Sequence, residues 1–535
     1  MLLFLLACAG SPQPPVAGDT DTSPDTDGST WRSALYPEDW APGFSVESSF
    51  LHDFSYAGYH NSESPLPDTL PSTRFDVADY GADATGGSDS TAAIQAAIDD
   101  AADAGGGLVA LGAGTYRVDG TLLVSASGTV ISGAGPETVL VFTRAGNISD
   151  VYHLSFRGTL TEGDDNPLTA EAGAWDTTLA IEDASALSVG DDVHVGWVIT
   201  DEFVEEHGMT GTWQAFNGTW RPFFRRTVTG IDAEAGTVTV DVPLRYPAQL
   251  RDQPSLRRAE GYLSECGLQD LSVSTTATWE DAWSSDRSHA IGMVGVKDCW
   301  IQRVQSAPSA VVDAPYHLQS SGIIVRDAKR VTVAESTMEL AQNRGGGGNG
   351  YLFEVMRSSE VLIRDSTGRA GRHNFIQNWD FGTSGCVFLR TTSTEGGLIY
   401  DEGSTEPYWV GASEFHHSLA MANLIDDSLT DDGWGAVNRR SYSSGAGHSA
   451  TQNVFWNVQG AGTLTSFQYG LGYVVGTGPE LVVEVAVSDL NDSAGTAPED
   501  HTEGLGEAAT LQPGSLFDDQ LARRLARGER LWAAQ

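Results

Sequence analysis

Three polar residues recur at one interval. Asp313, Asn343 and His373 stand thirty residues apart, with Gln342 and Arg344 beside the second, and Arg372 and Asn374 beside the third. If successive thirty-residue units stack, these side chains form one column of carboxylate, amide, imidazole and guanidinium. Such a column suits general acid–base proton transfer. His373 is its natural proton-transfer group, because an unperturbed imidazole titrates near ~6.5. Arg372 is placed to neutralise a substrate carboxylate, which lowers the barrier to removing the proton on the carbon beside it. A polar ladder that only stabilises a turn would use the same residue types. A second constellation runs from His416 to His448. It holds His416-His417, Asp431-Asp432-Gly433, Asn438-Arg439-Arg440 and Gly445-Ala446-Gly447-His448. Asp431 and Asp432 are adjacent, so in a strand only one of them faces a groove. A catalytic cleft requires His373, Arg372 and Arg439, or Asp432 with His448, to converge. A binding surface would show an aromatic strip and dispersed histidines instead.

The elements that must position these residues are short strands. Segments beginning at Leu271, Ile301, Val331 and Val361 are thirty residues apart, and a second set at Gly292, Gly322 and Leu352 keeps the same step. The series continues less evenly at Val387, Leu424 and Val454. Strand-rich units repeated at this period, punctuated by Gly, Asp, Asn and Ser, signal a solenoid. One coil cannot close a core, but coils stacked ~4.8 Å apart can. Upstream, Ile94, Ala97, Ile98 and Ala101 mark one face of a helix from Asp89 or Ser90 to about Ala104, stopped by Gly105-Gly106-Gly107. Laid over the first coil, it covers an open end. Residues 150–260 break the pattern with alternating segments such as Asp192-Val193-His194-Val195 and Val238-Thr239-Val240, which predicts an inserted small β-barrel or sandwich. Within it, Trp220 and Arg221 have the chemistry to stack on and pair with an acidic sugar, or to pack the insert on the solenoid. Ser515 opens a C-terminal helix in which Leu516, Leu521 and Leu525 could pack on the last coil.

The stretch FDVADYGADATGGSDSTAAIQAAIDDAADAGGGLVALGAGTYRV, residues 75–118, resembles the N-terminal segment of the pectate lyase superfamily, in its rhamnogalacturonase and epimerase-like group. The likeness extends over residues 75–142. It implies a right-handed parallel β-helix, which with the capping helix and the inserted small β-barrel or sandwich read above makes an all-β fold. It also implies action on polysaccharides by hydrolysis, β-elimination or C5 epimerisation. Paired carboxylates before a Gly-rich histidine loop are similar to the arrangement in polygalacturonase-type hydrolases of this superfamily, where aspartates activate water and protonate the leaving oxygen. The Asn-Thr-Asp and Arg-Ile-Lys motifs of that arrangement are absent. The catalytic candidates are therefore His373, Arg372, Asp431, Asp432, Arg439 and His448. The substrate-binding candidates are Asp313, Asn343, Arg344, Asn374, Asn438, Trp220 and Arg221. Lysine often serves in such lyases, but only Lys297 and Lys329 occur. The thirty-residue register aligns Lys297 with Asp327 and Arg357, away from the histidine loops, so a lyase would use Arg, His373 or Tyr442.

The chain has 535 residues, with 30 Lys+Arg against 72 Asp+Glu, a net charge of −42. That balance argues against nucleic acid, and only a local arginine patch or a bound cation would admit an anionic glycan. Leu5-Leu6-Ala7-Cys8 resembles a bacterial lipobox, with Cys8 the lipid-attachment site. The domain plan that follows is a lipoprotein signal (1–8), an acidic Pro-rich tether (9–45), cap and first coils (46–149), the insert (150–260), main coils (261–510) and a C-terminal capping helix (511–535). It places the protein outside the cytoplasm, lipid-anchored or secreted. Cys266, Cys299 and Cys386 lack metal-site spacing and fit core packing. No cofactor is required by any motif, no metal site is marked, and calcium is an option that Asp and Asn oxygens allow. The expected activity is a glycoside hydrolase or polysaccharide lyase on a uronic-acid-containing glycan. The alternatives are a non-catalytic glycan-binding surface lipoprotein and a C5-epimerase.

Overall fold

The computed structural model describes the chain except for residues 1–28, 147–151, 276, 286, 312, 314, 400–408, 411, 486–498 and 533–535. Cys8 and most of the proposed tether lie outside the described residues. The fold is a right-handed parallel β-helix. A ten-stranded and a twenty-stranded parallel sheet run along it, each coil adding strands to both. Inward side chains from every coil merge into one core, from Val77 and Ile94 through Ile291, Phe353 and Phe375 to Phe455 and Val474. Helix α1 (Thr91–Asp103) closes the N-terminal end, burying Ile94, Ala97, Ile98 and Ala101. Its amphipathic spacing supplies the apolar stripe that an open coil end lacks.

The thirty-residue step holds between some coils and not others. Ile323 pairs with Phe353 and Val333 with Ile363, thirty residues on. Met293 pairs with Val325 and Cys299 with Val331, thirty-two on, because the preceding loop is longer. Phe353 pairs with Phe375 after only twenty-two residues, and Ile376 with Glu414 after thirty-eight. The expected partner of Lys297 is corrected accordingly. It stacks on Lys329 and not on Asp327, and both lysines hold Asp192 of the insert, at 2.6 and 2.7 Å.

Residues 161–260 form a separate antiparallel sheet around their own core of Trp197, Phe203, Trp213, Phe223 and Phe224. Phe381, Leu419 and Met421 of the solenoid join that core, so the insert is fixed to the coils. Two expectations at the chain ends are corrected. The tether does not reach residue 45: Leu35, Tyr36 and Trp40 are buried, because this segment carries enough apolar surface to dock. The C-terminal helix α2 (Leu516–Ala526) does not cover the last coil. It lies along the flank, with Leu516 and Phe517 packed beside Leu424, Val454 and Trp456 on successive coils. Its N-terminal amides point at the buried carboxylate of Asp426, which accepts from Leu516 N at 3.1 Å and Phe517 N at 2.8 Å. Cys266, Cys299 and Cys386 are buried thiols. Among the described residues, no helix is long and apolar enough to cross a membrane.

Candidate active-site cleft

The outer face of the ten-stranded sheet carries the chemistry. Strands β1 (His289–Val294), β2 (Ser321–Arg326), β3 (Tyr351–Met356), β4 (His373–Gln377), β5 (Ser413–Phe415) and β6 (Trp434–Ala436) stack in register. One outward row reads Gly292, Ile324, Glu354, Ile376, Glu414, Gly435. Alternation along β5 buries Phe415 in the core and turns Glu414 outward, with His416 on the same side one step on. The two carboxylates of the row are therefore two coils apart.

Each carboxylate stands beside imidazole. Glu354 accepts from His289 Nε2 at 2.7 Å and from Asn378 Nδ2 at 2.8 Å, all three residues being buried. Burial alone would raise the Glu354 carboxyl, but the His289 hydrogen bond holds it down at about 2. Glu414 accepts from Arg439 Nη1 at 2.6 Å through Oε2, while His373 Nε2 and His416 Nε2 stand 3.2 and 3.5 Å from Oε1. The Nδ1 of His373 donates to the Ala412 carbonyl at 2.6 Å, since a carbonyl can only accept. Burial lowers His373 to about 4 and His416 well below the usual imidazole range, with Arg439 adding to the effect at His416.

In front of this row lies a cavity of about 500 Å³, lined by Arg287, Arg326, Arg357, Arg372, Tyr351, His416, His417 and Trp379 among others, and, among the described residues, by no Asp or Glu. Four guanidinium groups thus line one cavity in a chain of net charge −42, two of them, Arg326 and Arg357, paired with Asp327. Asp327 orients Arg357 with two contacts of 2.8 Å, and the Gly345 carbonyl accepts from Arg372 Nη1 at 2.9 Å. The loop over the cavity contains Gly347 and Gly348 at positive φ, and a Cβ at Gly348 would meet Arg287 Cδ at 3.0 Å. Trp379 stands at the rim, 36% exposed, its ring 4.3 Å from that of His417 and 6.1 Å from Phe216 of the insert. Burial, and after it Arg439, lowers His417 to about 3.

The structure separates the residues expected to form one column. Asp313 is exposed in a loop, Asn343 is buried and donates to the Ala282 carbonyl, and His373 pairs with Tyr351. The column is corrected because the coil between β3 and β4 is eight residues shorter than the assumed step. Arg344 is buried, with Nη1 donating to the Glu395 carbonyl. Asn374 donates to Asp432 at 2.7 Å. The buried Asp432 also accepts from Ser393 and from Gly396 N, and burial raises it to about 6. Asp431 is exposed and accepts from Ala461 N at 3.0 Å. His448 is buried against Met209 of the insert, with Asn438 beside it at 3.5 Å. Asp432 and His448 thus do not converge, and neither Asp431 nor Asp432 lines the cavity. Arg372 lines it, and Arg439 and His373 meet on Glu414 in its wall. Arg221 pairs with Asp380 at 3.2 Å, and Trp220 is covered by Arg257 at 3.8 Å, so both pack the insert. The candidates from sequence did not include Glu414, Glu354, Tyr351 or the arginines 287, 326 and 357. The Glu-Phe-His alternation at 414–416 was the available signal.

Comparison with known proteins places part of this architecture. Residues 74–177 match the family model of rhamnogalacturonase A/epimerase, pectate lyase-like. The resemblance carried by residues 75–142 is borne out. Mannuronan C5-epimerase AlgE3 of Azotobacter vinelandii is 48% identical over 73 residues, which is 12% of this chain and 4% of the epimerase. Alginate lyase 7 of the same organism is 42% identical over 73 residues, 12% of this chain and 8% of the lyase. The chain thus spans only a small part of the curated relatives it matches. The tailspike gp61 of Pseudomonas phage phi297 superposes with a TM-score of 0.50 at 14% identity, covering 82% of this chain and 75% of the tailspike. That likeness shows the shared β-helix fold.

Proposed function

We propose that the chain is an extracytoplasmic polysaccharide lyase that binds a uronic-acid-containing glycan in the arginine-lined cleft. The observation that carries this reading is the cleft itself, with four arginines, a tyrosine and two histidines around one cavity. A uronate carboxylate seated among these guanidinium groups loses much of its charge, and the C5 proton beside it becomes more acidic. The Tyr351 hydroxyl and the His417 imidazole, whose ring nitrogens meet no described partner, supply proton-transfer groups on the cavity wall. Elimination then breaks the C4–O4 bond, the leaving oxygen takes a proton, and a C4–C5 double bond remains. A hydrolase would need carboxylates flanking a bound water, and the adjacent pair Asp431-Asp432 stands elsewhere. C5 epimerisation is the second reading. It shares the proton-removal step, and the 73-residue match to an Azotobacter epimerase favours it. The lipobox-like Leu5-Leu6-Ala7-Cys8 supports a lipid anchor.

The test is incubation of the purified protein with alginate, polygalacturonate and sulfated and unsulfated glycosaminoglycans. New ultraviolet absorbance from the unsaturated end supports elimination. Exchange of the C5 proton with solvent deuterium, without chain cleavage, supports epimerisation. New reducing ends without absorbance would overturn both.

A further inference from the structure

We propose that His373, Glu414 and His416 bind a first-row divalent transition-metal ion of the zinc class in the wall of the cleft. Among the described residues these three offer one donor atom each, all within 4.8 Å of one another. Two of the separations are 3.2 Å, His373 Nε2 to Glu414 Oε1, and 3.5 Å, His416 Nε2 to Glu414 Oε1. Donors bound to zinc at ~2.0–2.1 Å in a tetrahedron lie ~3.3 Å apart, so the pairs already have the spacing of coordination edges.

The hydrogen bonds point the same way. His373 donates from Nδ1 to the Ala412 carbonyl, which leaves the Nε2 lone pair directed at Glu414. Two acceptors facing each other at 3.2 Å repel unless a cation lies between them. Glu414 Oε1 receives no hydrogen bond from a described residue, although the carboxylate is buried. Its other oxygen is fixed by Arg439 at 2.6 Å. An imidazole whose far nitrogen is tied to a carbonyl, beside a carboxylate steered by a second group, is the outer-shell arrangement of metal-ligating residues. Two imidazoles with one carboxylate suit zinc, cobalt, nickel or iron better than calcium, which takes six to eight oxygens.

With three protein ligands, at least one coordination position would remain for water or a further ligand, and one of the three, His416, also lines the cavity. The assignment stands on the donor geometry and does not depend on which glycan binds.

The experiment is metal binding by the full chain without glycan. Chelator-treated protein is titrated with Zn²⁺ by calorimetry and with Co²⁺ by visible absorption. One equivalent is expected to bind, with the intense visible bands of four-coordinate cobalt. Glu414→Gln and His416→Gln keep the side-chain size and should weaken binding at least ~100-fold, at or beyond the ~10–100-fold that loss of an outer-shell partner costs. His501→Ala, outside the cluster, should bind as the wild type does. Circular dichroism of each metal-free variant checks that it is folded. The proposal is overturned if folded wild-type protein takes up no stoichiometric Zn²⁺ or Co²⁺. Undiminished binding by folded Glu414→Gln and His416→Gln, or displacement by equimolar Ca²⁺, overturns it equally. None of these results bears on the glycan reading, which fails separately if no uronate polymer is bound or changed.

Discussion

Replacing Arg372 by alanine isolates the step on which the lyase reading turns. Arg372 lines the cavity, and its guanidinium is aimed by the Gly345 carbonyl at 2.9 Å. Its backbone N donates to the Gly350 carbonyl at 2.7 Å, a contact that the substitution keeps, so the loop over the cleft should stay closed. A hydrogen bond to a charged partner contributes ~1.5–3 kcal/mol, which is roughly 10–150-fold in rate or affinity. If Arg372 neutralises the uronate mainly as the C5 proton leaves, the loss falls on kcat. Removing one such donor from a preorganised site costs ~10²–10³ in kcat. Arg372→Lys should recover only part, because a point charge does not reproduce the planar fork. The assay is the initial rate of unsaturated product over a range of substrate concentrations, with wild type, Arg372→Ala and Arg372→Lys in parallel. A folded Arg372→Ala enzyme that keeps its kcat and loses only KM would show uniform binding and refute the proposed role. Unchanged kcat and KM would remove Arg372 from the site.

Three further outcomes follow from the geometry. Asp432→Asn should leave kcat within about twofold and lower stability by ~1–3 kcal/mol, because an NH₂ replaces one of the two oxygens that accept from Ser393 on one side and from Asn374 and Gly396 on the other; urea unfolding measures the loss. Asp431→Asn, at the exposed neighbour, should be neutral in both assays. Asp192→Asn withdraws the anion from the buried Lys329, whose amine burial already lowers to about 8, and should cost ~3–5 kcal/mol in the same unfolding experiment. Burial raises Asp426 and Asp500 to about 7 each, above the ~3.9 of an unfolded aspartate. The native state then holds more protons than the unfolded chain through that window, so these groups make stability fall as pH rises from ~4 to ~7 and level off above it. Asp500→Asn should flatten part of the slope in unfolding midpoints measured across this range.

The fold was legible because a solenoid repeats its core. Each apolar triplet in the series ending at Val454 recurs where the next coil needs an inward strand, and α1 announces itself by Ile94, Ala97, Ile98 and Ala101 on one face. The cleft was less legible because its side chains lie on the outward parity, where no apolar spacing marks the register. Glu354 and Glu414 are sixty residues apart, two whole repeats, and both point outward from the same row. The rung between them is displaced: twenty-two residues bring the chain from Glu354 to Ile376, and thirty-eight more bring it to Glu414. A fixed step therefore finds the first and third rungs and misses the second, which is where His373 was wrongly stacked on Asn343.

The same displacement explains why the site is here. A short coil at β4 brings Arg372 and His373 beside β3, and the surplus length is spent in the long connection that carries Asn378 and Trp379 to the cavity and returns as Glu414 and His416. Loops of unequal length at one corner of a regular solenoid gather groups from five coils, Arg287 beside β1 to His416 after β5, that a perfect repeat would keep apart. Shortening the long connection between Thr394 and Ala412, with Asn378, Trp379 and Ala412 kept, should then leave the β-helix cooperative in thermal unfolding, while abolishing both metal uptake and glycan turnover. If either survived, the connection would not be what assembles the site.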